Sequence, residues 1–418
     1  MRVTPALFHH AEALLAELLR LNFAADQVVA AYFRRNRELG HGERGFVAEL
    51  VFAVLRRKRS LAARCAGDLN SRRLLLAALA CVQGMNRRQL AEVASESESK
   101  WLAQAKAVRS EDLPAAVRLD LPDWLYGELL AGFAADELER LAAALNQPAP
   151  LDLRVNPLRA GRDEVLEKLL ASGLAASPCP YSPLAIRLAG KPPLAQHPLF
   201  VDGSIEVQDE GSQLLGFLLQ PRRGQMVADV CAGAGGKTLL LGALMRSQGR
   251  LYAFDVSDRR LAKLKPRLAR SGLSNVYPVR IESERDLRVG RLAGKLDRVL
   301  VDAPCSGLGT LRRNPDLKWR QSPASVGELA AKQAAILAAA ANLVKPGGRL
   351  VYATCSLLEA ENDRVVDAFL AQNPQFVVCP AAQILQQQEI ALNTGERLRL
   401  LPHRHATDGF FATVLERR

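Results

Sequence analysis

Apolar residues recur at helical spacing through the first third of the chain. Ala11–Leu19, Phe46–Leu55, Leu74–Val82 and Leu138–Leu145 each place them three and four positions apart, which predicts helices. Leu113-Pro114 and Leu121-Pro122 predict breaks, because a residue before proline avoids helical backbone. The pattern changes at about Pro148. Leu151–Asn156 alternates like a strand that Pro157 ends, Glu164–Ala171 reads as a helix stopped by Gly173, and Leu184–Leu188 and Ile205–Gln208 read as short strands. From Gln208 onward strands and helices alternate. Strands are expected at Met226–Val230, Leu251–Phe254, Asn275–Ile281, Leu296–Val301, Arg349–Ala353 and Gly409–Leu415. Helices are expected at Thr238–Met245, Asp258–Ser271, Val326–Leu343 and Glu361–Gln372. This alternation predicts a mainly parallel sheet covered on both faces. The expected division is an all-helical part over 1–147, a small α+β part over 148–209 and an α/β domain over 210–418, with no internal repeat.

Composition narrows the class. With 49% hydrophobic and 24% charged residues the chain is globular, and 418 residues exceed what one core serves. A formal net charge of +12 favours a polyanionic partner, since Lys and Arg beside phosphates release condensed counterions. Seven dispersed cysteines form no CxxC pair, so a zinc ribbon is not expected, no metal site is assigned, and a reducing compartment fits. Met1–Arg20 lacks the form of a signal peptide, and no run approaches the roughly 20 apolar residues of a membrane span. A soluble cytoplasmic protein is expected, with a monomer as the working state.

The first expected α/β strand runs into Cys231-Ala232-Gly233-Ala234-Gly235-Gly236-Lys237-Thr238. Glycines let a ligand approach the backbone, and a helix N-terminus offers unpaired N–H groups. A dinucleotide turn wants GxGxxG, but Thr238 holds the third place. A P-loop wants a glycine where Cys231 stands, although Gly236-Lys237-Thr238 fits its end and Val299–Asp302 mimics its acidic strand; a P-loop ATPase acting on RNA is therefore one competing reading. An S-adenosylmethionine site wants an acidic residue about 20 positions on for the ribose. Asp255 stands there, and Ser257 or Asp258 is available to cap the helix that follows.

Two cysteines sit at strand ends in polar, turn-rich settings: Asp302-Ala303-Pro304-Cys305-Ser306-Gly307 and Thr354-Cys355-Ser356. Ligands of open α/β sheets bind at the carboxyl ends of strands, so both thiols belong near the glycine loop. Cys65, Cys81, Cys179 and Cys379 read as small hydrophobes. A methyl donor beside a thiol points to a pyrimidine: C5 of cytosine is a poor nucleophile until a thiolate adds at C6. Asp302 is placed to hold the ring edge near N3, and Lys237 to anchor the loop or position Asp302. Spacing alone does not rank Cys305 against Cys355.

Together these motifs resemble the Sun/RsmB-type RNA (cytosine-5) methyltransferases. Leu311–Trp319, Tyr352–Ser356 with Glu359, Glu361 and Asn362, Pro402-His403-Arg404 and Asp408–Phe411 extend the likeness, while Ala234 replaces a usual proline and Gly233 a frequent alanine. The resemblance implies a Rossmann-like class I methyltransferase domain preceded by a small α+β, RRM-like subdomain and an all-helical NusB-like RNA-binding domain. It implies S-adenosyl-L-methionine held by Cys231, Ala232, Gly233, Ala234, Gly235, Gly236, Lys237, Asp255 and Asp302, with Glu282 or the adjacent Ser283 as a further contact. It also implies that Cys355 forms the covalent adduct and that Cys305 assists product release. The expected partner is RNA: 16S rRNA by resemblance to bacterial members, with transfer RNA the alternative. Ala31–Gly40 and the run Arg56-Arg57-Lys58-Arg59 are candidate RNA contacts. A non-catalytic RNA-binding factor is the other competing reading, against which the two intact cysteines stand.

Overall fold

A computed structural model describes residues 2–65 and 69–418. Within it the chain separates into two compact units: residues 1–148 with Thr310–Pro323, and residues 149–309 with 324–418.

The first unit is helical. Pro5–Leu18, Ala25–Arg35, His41–Arg56, Lys58–Arg64 and Ser71–Ala77 bury a leucine-rich core that includes Leu14, Leu15, Leu50, Leu55 and Leu75. Their ends follow local chemistry. Thr4 accepts from the Leu7 amide, and Ser95 and Glu98 cap the helix Glu96–Ala107 reciprocally. The basic run Arg56–Arg59 does not simply finish one helix; it spans the break from His41–Arg56 into Lys58–Arg64.

Linear order is not spatial order here. Residues Thr310–Pro323, which the linear division gives to the α/β domain, pack among these helices. Asp316 accepts from the Ala25 amide at 3.1 Å, and Trp319 Nε1 donates to the Leu55 carbonyl at 2.7 Å. Lys318 is fully buried and donates to the Arg56 carbonyl at 2.7 Å and Asn146 Oδ1 at 2.9 Å. Burial pushes its ammonium down to about 7 against the pull of Asp120.

The second unit holds two sheets. Strands β1 (Leu151–Val155), β2 (Ala176–Pro178), β3 (Ala185–Leu188) and β4 (Ile205–Val207) pair antiparallel in the order β2-β3-β1-β4. The helix Arg162–Ala171 supplies Val165 and Leu169 to a core with Leu153, Val155, Ile186 and Ile205.

The large sheet contains β5 (Met226–Asp229), β6 (Arg250–Asp255), β7 (Val276–Arg280), β8 (Leu296–Asp302), β9 (Val344–Thr354), β10 (Phe376–Cys379), β11 (Leu398–Leu400) and β12 (Phe410–Arg417). Its order is β10-β12-β9-β8-β5-β6-β7, with β11 also on β12. Strands β5 to β9 are parallel, whereas β12 runs antiparallel to β9. This is a Rossmann-like arrangement with a mixed sheet. The chain winds outward from β5 through β7, then returns to the other side of β5 as β8 and β9. The resulting switch point between β5 and β8 opens a crevice at their carboxyl ends. No helix among the described residues is long and apolar enough to cross a membrane.

Candidate active site

A cavity of about 760 Å³ fills that crevice. Its first wall is the turn after β5. Gly233 (φ +58°) and Gly235 (φ +83°) occupy left-handed backbone, which glycine adopts without strain. A Cβ at Gly235 would stand 2.1 Å from Leu264 Cδ1, so this glycine serves packing and does not line the cavity. Arg267 holds the turn from outside by donating to the Ala234 carbonyl at 2.7 Å.

Asp255 ends β6 and pins the same turn. Its Oδ2 accepts from the Gly233 amide at 2.8 Å, and its Oδ1 accepts from Ser257 at 2.7 Å. Ser257 in turn caps the helix Asp258–Ser271. At the end of β5, Asp229 Oδ2 accepts from Thr238 Oγ1 at 2.7 Å, while its buried Oδ1 has no partner among the described residues. Burial pushes Asp229 up to about 7; the Thr238 hydrogen bond opposes this and the nearby Asp302 charge adds to it. An orphaned buried acceptor facing a cavity suits a ligand that brings a donor or positive charge.

Strands β8 and β9 supply the opposite wall. Lys237 Nζ donates to Asp302 Oδ2 at 2.6 Å. Burial alone would lower this lysine, but the charge and hydrogen bond of Asp302 outweigh it and raise it. The thiols of Cys305 and Cys355 approach to 3.4 Å. Their neighbour Cys231 also lines the cavity, yet burial and then the charges of Asp229, Asp302 and Asp255 push its thiol far up, which leaves it inert. The Cys305 thiol is likewise raised well above the usual range. Its hydrogen bond to Cys355 is the largest cause, followed by burial and by the charges of Cys355 and Glu361.

The cavity therefore gathers Cys231, Ala232, Gly233, Ala234, Gly236, Lys237, Asp255, Asp302, Cys305 and Cys355. Glu282 and Ser283 lie outside its lining. Glu282 is exposed and its amide donates to Asp286; Ile281 and Glu284 line the cavity instead, because the turn after β7 carries the next acidic side chain inward. Sequence reasoning also missed Asp229, Gln208 and Lys332. An acidic residue at the end of β5 was a readable signal for Asp229. Lys332 carried none, because its place depends on how the helix Pro323–Ala341 packs.

Residues 216–416 match the sequence profile described as 16S rRNA methyltransferase RsmB/F, and residues 121–195 match its ferredoxin-like domain. The "Probable ribosomal RNA small subunit methyltransferase B" of Synechocystis is 38% identical over 340 residues, which is 80% of this chain and 74% of the relative. The chain belongs to the RsmB/F methyltransferase family. A Bacillus subtilis relative of the same description is 28% identical over 438 residues, covering 96% of both chains. A solved methyltransferase homologue from Pyrococcus horikoshii superposes with a TM-score of 0.63 at 27% identity, over 74% of this chain and all of that one. RsmB/F methyltransferases use S-adenosyl-L-methionine, and it is this chain's cofactor. The observed residues fit it: a turn of small residues and glycines for close approach, a carboxylate at the end of β6, and an Asp229 oxygen with no partner among the described residues. Membership of this family also separates the glycine loop from a P-loop.

Proposed function

We propose that this protein methylates C5 of a cytosine in 16S ribosomal RNA through a covalent bond from Cys355 Sγ to C6 of the base. The observation that carries this reading is the 3.4 Å approach of two thiols at neighbouring parallel strand ends, beside the cofactor turn. The relatives named as small-subunit ribosomal RNA methyltransferases support the substrate, as does the chain's net charge of +12.

The two thiols differ in a way that supports distinct roles. Cys305 keeps its proton, held by the hydrogen bond to Cys355, by burial and by the Glu361 charge. It donates that proton toward Cys355 Sγ and stabilises a thiolate there. A cytosine swung out of its stack presents C6 to this thiolate. As the Sγ–C6 bond forms, the C5–C6 π electrons move to C5 and into the ring toward N3. Asp302 meets the N3 edge, and the Lys237 charge 2.6 Å from its Oδ2 balances the developing negative charge. Bound S-adenosylmethionine supplies an electrophilic methyl group, which C5 takes.

Release then follows from the same pair. With Cys355 now a neutral thioether, the largest influence holding the Cys305 proton is gone. That proton passes to water, and the Cys305 thiolate removes the proton on C5. The C5–H electrons restore the C5–C6 double bond, and the Sγ–C6 pair returns to Cys355. Incubation with S-adenosylmethionine and unmodified 16S rRNA, followed by bisulfite sequencing, tests the reading. It predicts a protected cytosine in 16S rRNA and none in transfer RNA. A methyl group on another atom or base would contradict it.

A further inference from the structure

Neither cysteine loop is held by its own strand alone. Each cysteine is followed by a serine, and both serine hydroxyls end on one carboxylate 0% exposed, that of Glu361. Glu361 Oε1 accepts from the Ser306 amide at 2.8 Å and from Gln333 Nε2 at 3.0 Å. Its Oε2 accepts from the hydroxyls of Ser306 and Ser356, which are themselves 3.2 Å apart. Gln333 also donates to the Pro304 carbonyl at 2.9 Å, and Tyr352 donates to the Glu361 carbonyl at 2.6 Å.

We propose that Glu361 is a positioning residue for methyl transfer: one buried carboxylate that ties the Cys305 loop to the Cys355 loop and sets the distance between the two sulfurs. The inference rests on the two-cysteine reading above, but its geometric half does not need it. Four donors converge on two oxygens, which suits an acceptor-only carboxylate. No cation pairs with it among the described residues. Such a buried charge is a costly way to gain stability, since apolar replacements commonly do as well. What it provides here is direction. The donors come from Ser306, from Ser356 and from Gln333 on the helix Pro323–Ala341, so the carboxylate registers three elements against one another. Its charge also bears on Cys305 and helps to keep that thiol protonated.

The test uses the full chain and two substitutions. Glu361→Ala removes the tie; Glu361→Gln keeps an oxygen and an amide for the serines but removes the charge. Diamide oxidises neighbouring thiols to a disulfide, and peptide mapping reads the Cys305–Cys355 product without any RNA. In the wild-type protein this pair links rapidly. Glu361→Ala, shown folded by its melting transition, links at least tenfold more slowly. Its kcat falls ~100-fold with the S-adenosylmethionine Kd unchanged, the size expected when a reacting group shifts by about 1 Å. Glu361→Gln links near the wild-type rate, but its Cys305 alkylates at lower pH than in the wild-type protein. Wild-type linking rates in folded Glu361→Ala, or an unshifted alkylation profile in Glu361→Gln, overturn the proposal; should Glu361→Ala not fold, the profile of Glu361→Gln decides alone. Failure of the two-cysteine reading looks different: no protected cytosine and no adduct in the wild-type protein, whatever the linking rates.

Discussion

The loops at the ends of β8 and β9 are built alike and end up chemically unlike. Each follows a buried parallel strand, presents a cysteine, and continues into a serine bonded to Glu361. Yet the Cys305 thiol is driven far above its usual range by its partner sulfur, by burial and by Glu361. Cys355 lines the same cavity, and its charge bears on Lys237. The lesson is that residue type and strand position select a pair of candidate groups, and the local field then acts on one of them, Cys305.

The largest expected effect comes from removing the attacking group. Cys355→Ala lowers the first-turnover methylation rate on the order of 10⁴-fold or more, measured as labelled methyl incorporated into 16S rRNA. Cys305→Ala breaks the pair from the other side. It slows the first adduct by only the loss of one hydrogen bond but slows turnover by ~10²–10⁴-fold, the range of a lost proton-transfer group, seen as a burst without a steady state.

Lys237→Met comes next. It removes the cation 2.6 Å from Asp302 and should cost ~10²–10³ in kcat, the scale of one preorganised electrostatic contact. Steady-state kinetics with the melting point as a control would check it.

Asp229 gives a smaller, pH-dependent effect. Its carboxyl is raised to about 7 in the folded protein, so it is mostly protonated at pH 6 and mostly ionised at pH 8. The ionised form favours a cationic ligand, so S-adenosylmethionine affinity rises about tenfold between those values, the change in ionised fraction. Calorimetric titration should show this slope in the wild type and a flat profile in Asp229→Asn. For stability the sign is opposite. A raised carboxyl favours the fold below its unfolded value and loses that contribution as pH rises through about 7.

The smallest effect falls on the cofactor turn itself. Gly235→Ala forces a Cβ onto Leu264 at positive φ and should destabilise the fold by ~1–3 kcal/mol, read as a lower melting temperature.

Much of this architecture is written in short-range pattern. The helix Asp258–Ser271 was expected and found with the same bounds, because its basic face and its leucines at 261 and 264 alternate at helical period. The helix Glu210–Leu219 was not legible, since all ten of its residues are buried and no polar face marks the period. Strand Phe376–Cys379 is four residues long at the edge of its sheet and lacks alternation. In the site, the cysteines and the glycine turn were legible because their motifs are contiguous. The bond from Glu361 to Ser306 spans 55 residues and exists only once β8 and β9 are paired. The packing of Thr310–Pro323 among the N-terminal helices is long-range in the same sense. The contact expected at Glu282 or Ser283 lies outside the cavity lining, which Glu284 joins instead; a shift of one or two residues in a turn is enough to move a side chain out of a cavity.

The division of labour between the two thiols is the central claim, and a covalent trap tests it most directly. Each single variant is incubated with S-adenosylmethionine and 16S rRNA, then denatured and resolved by mass. Cys305→Ala should accumulate a denaturation-resistant protein–RNA adduct, and Cys355→Ala should form none. An adduct that persists in Cys355→Ala and vanishes in Cys305→Ala would reverse the two roles and contradict the account.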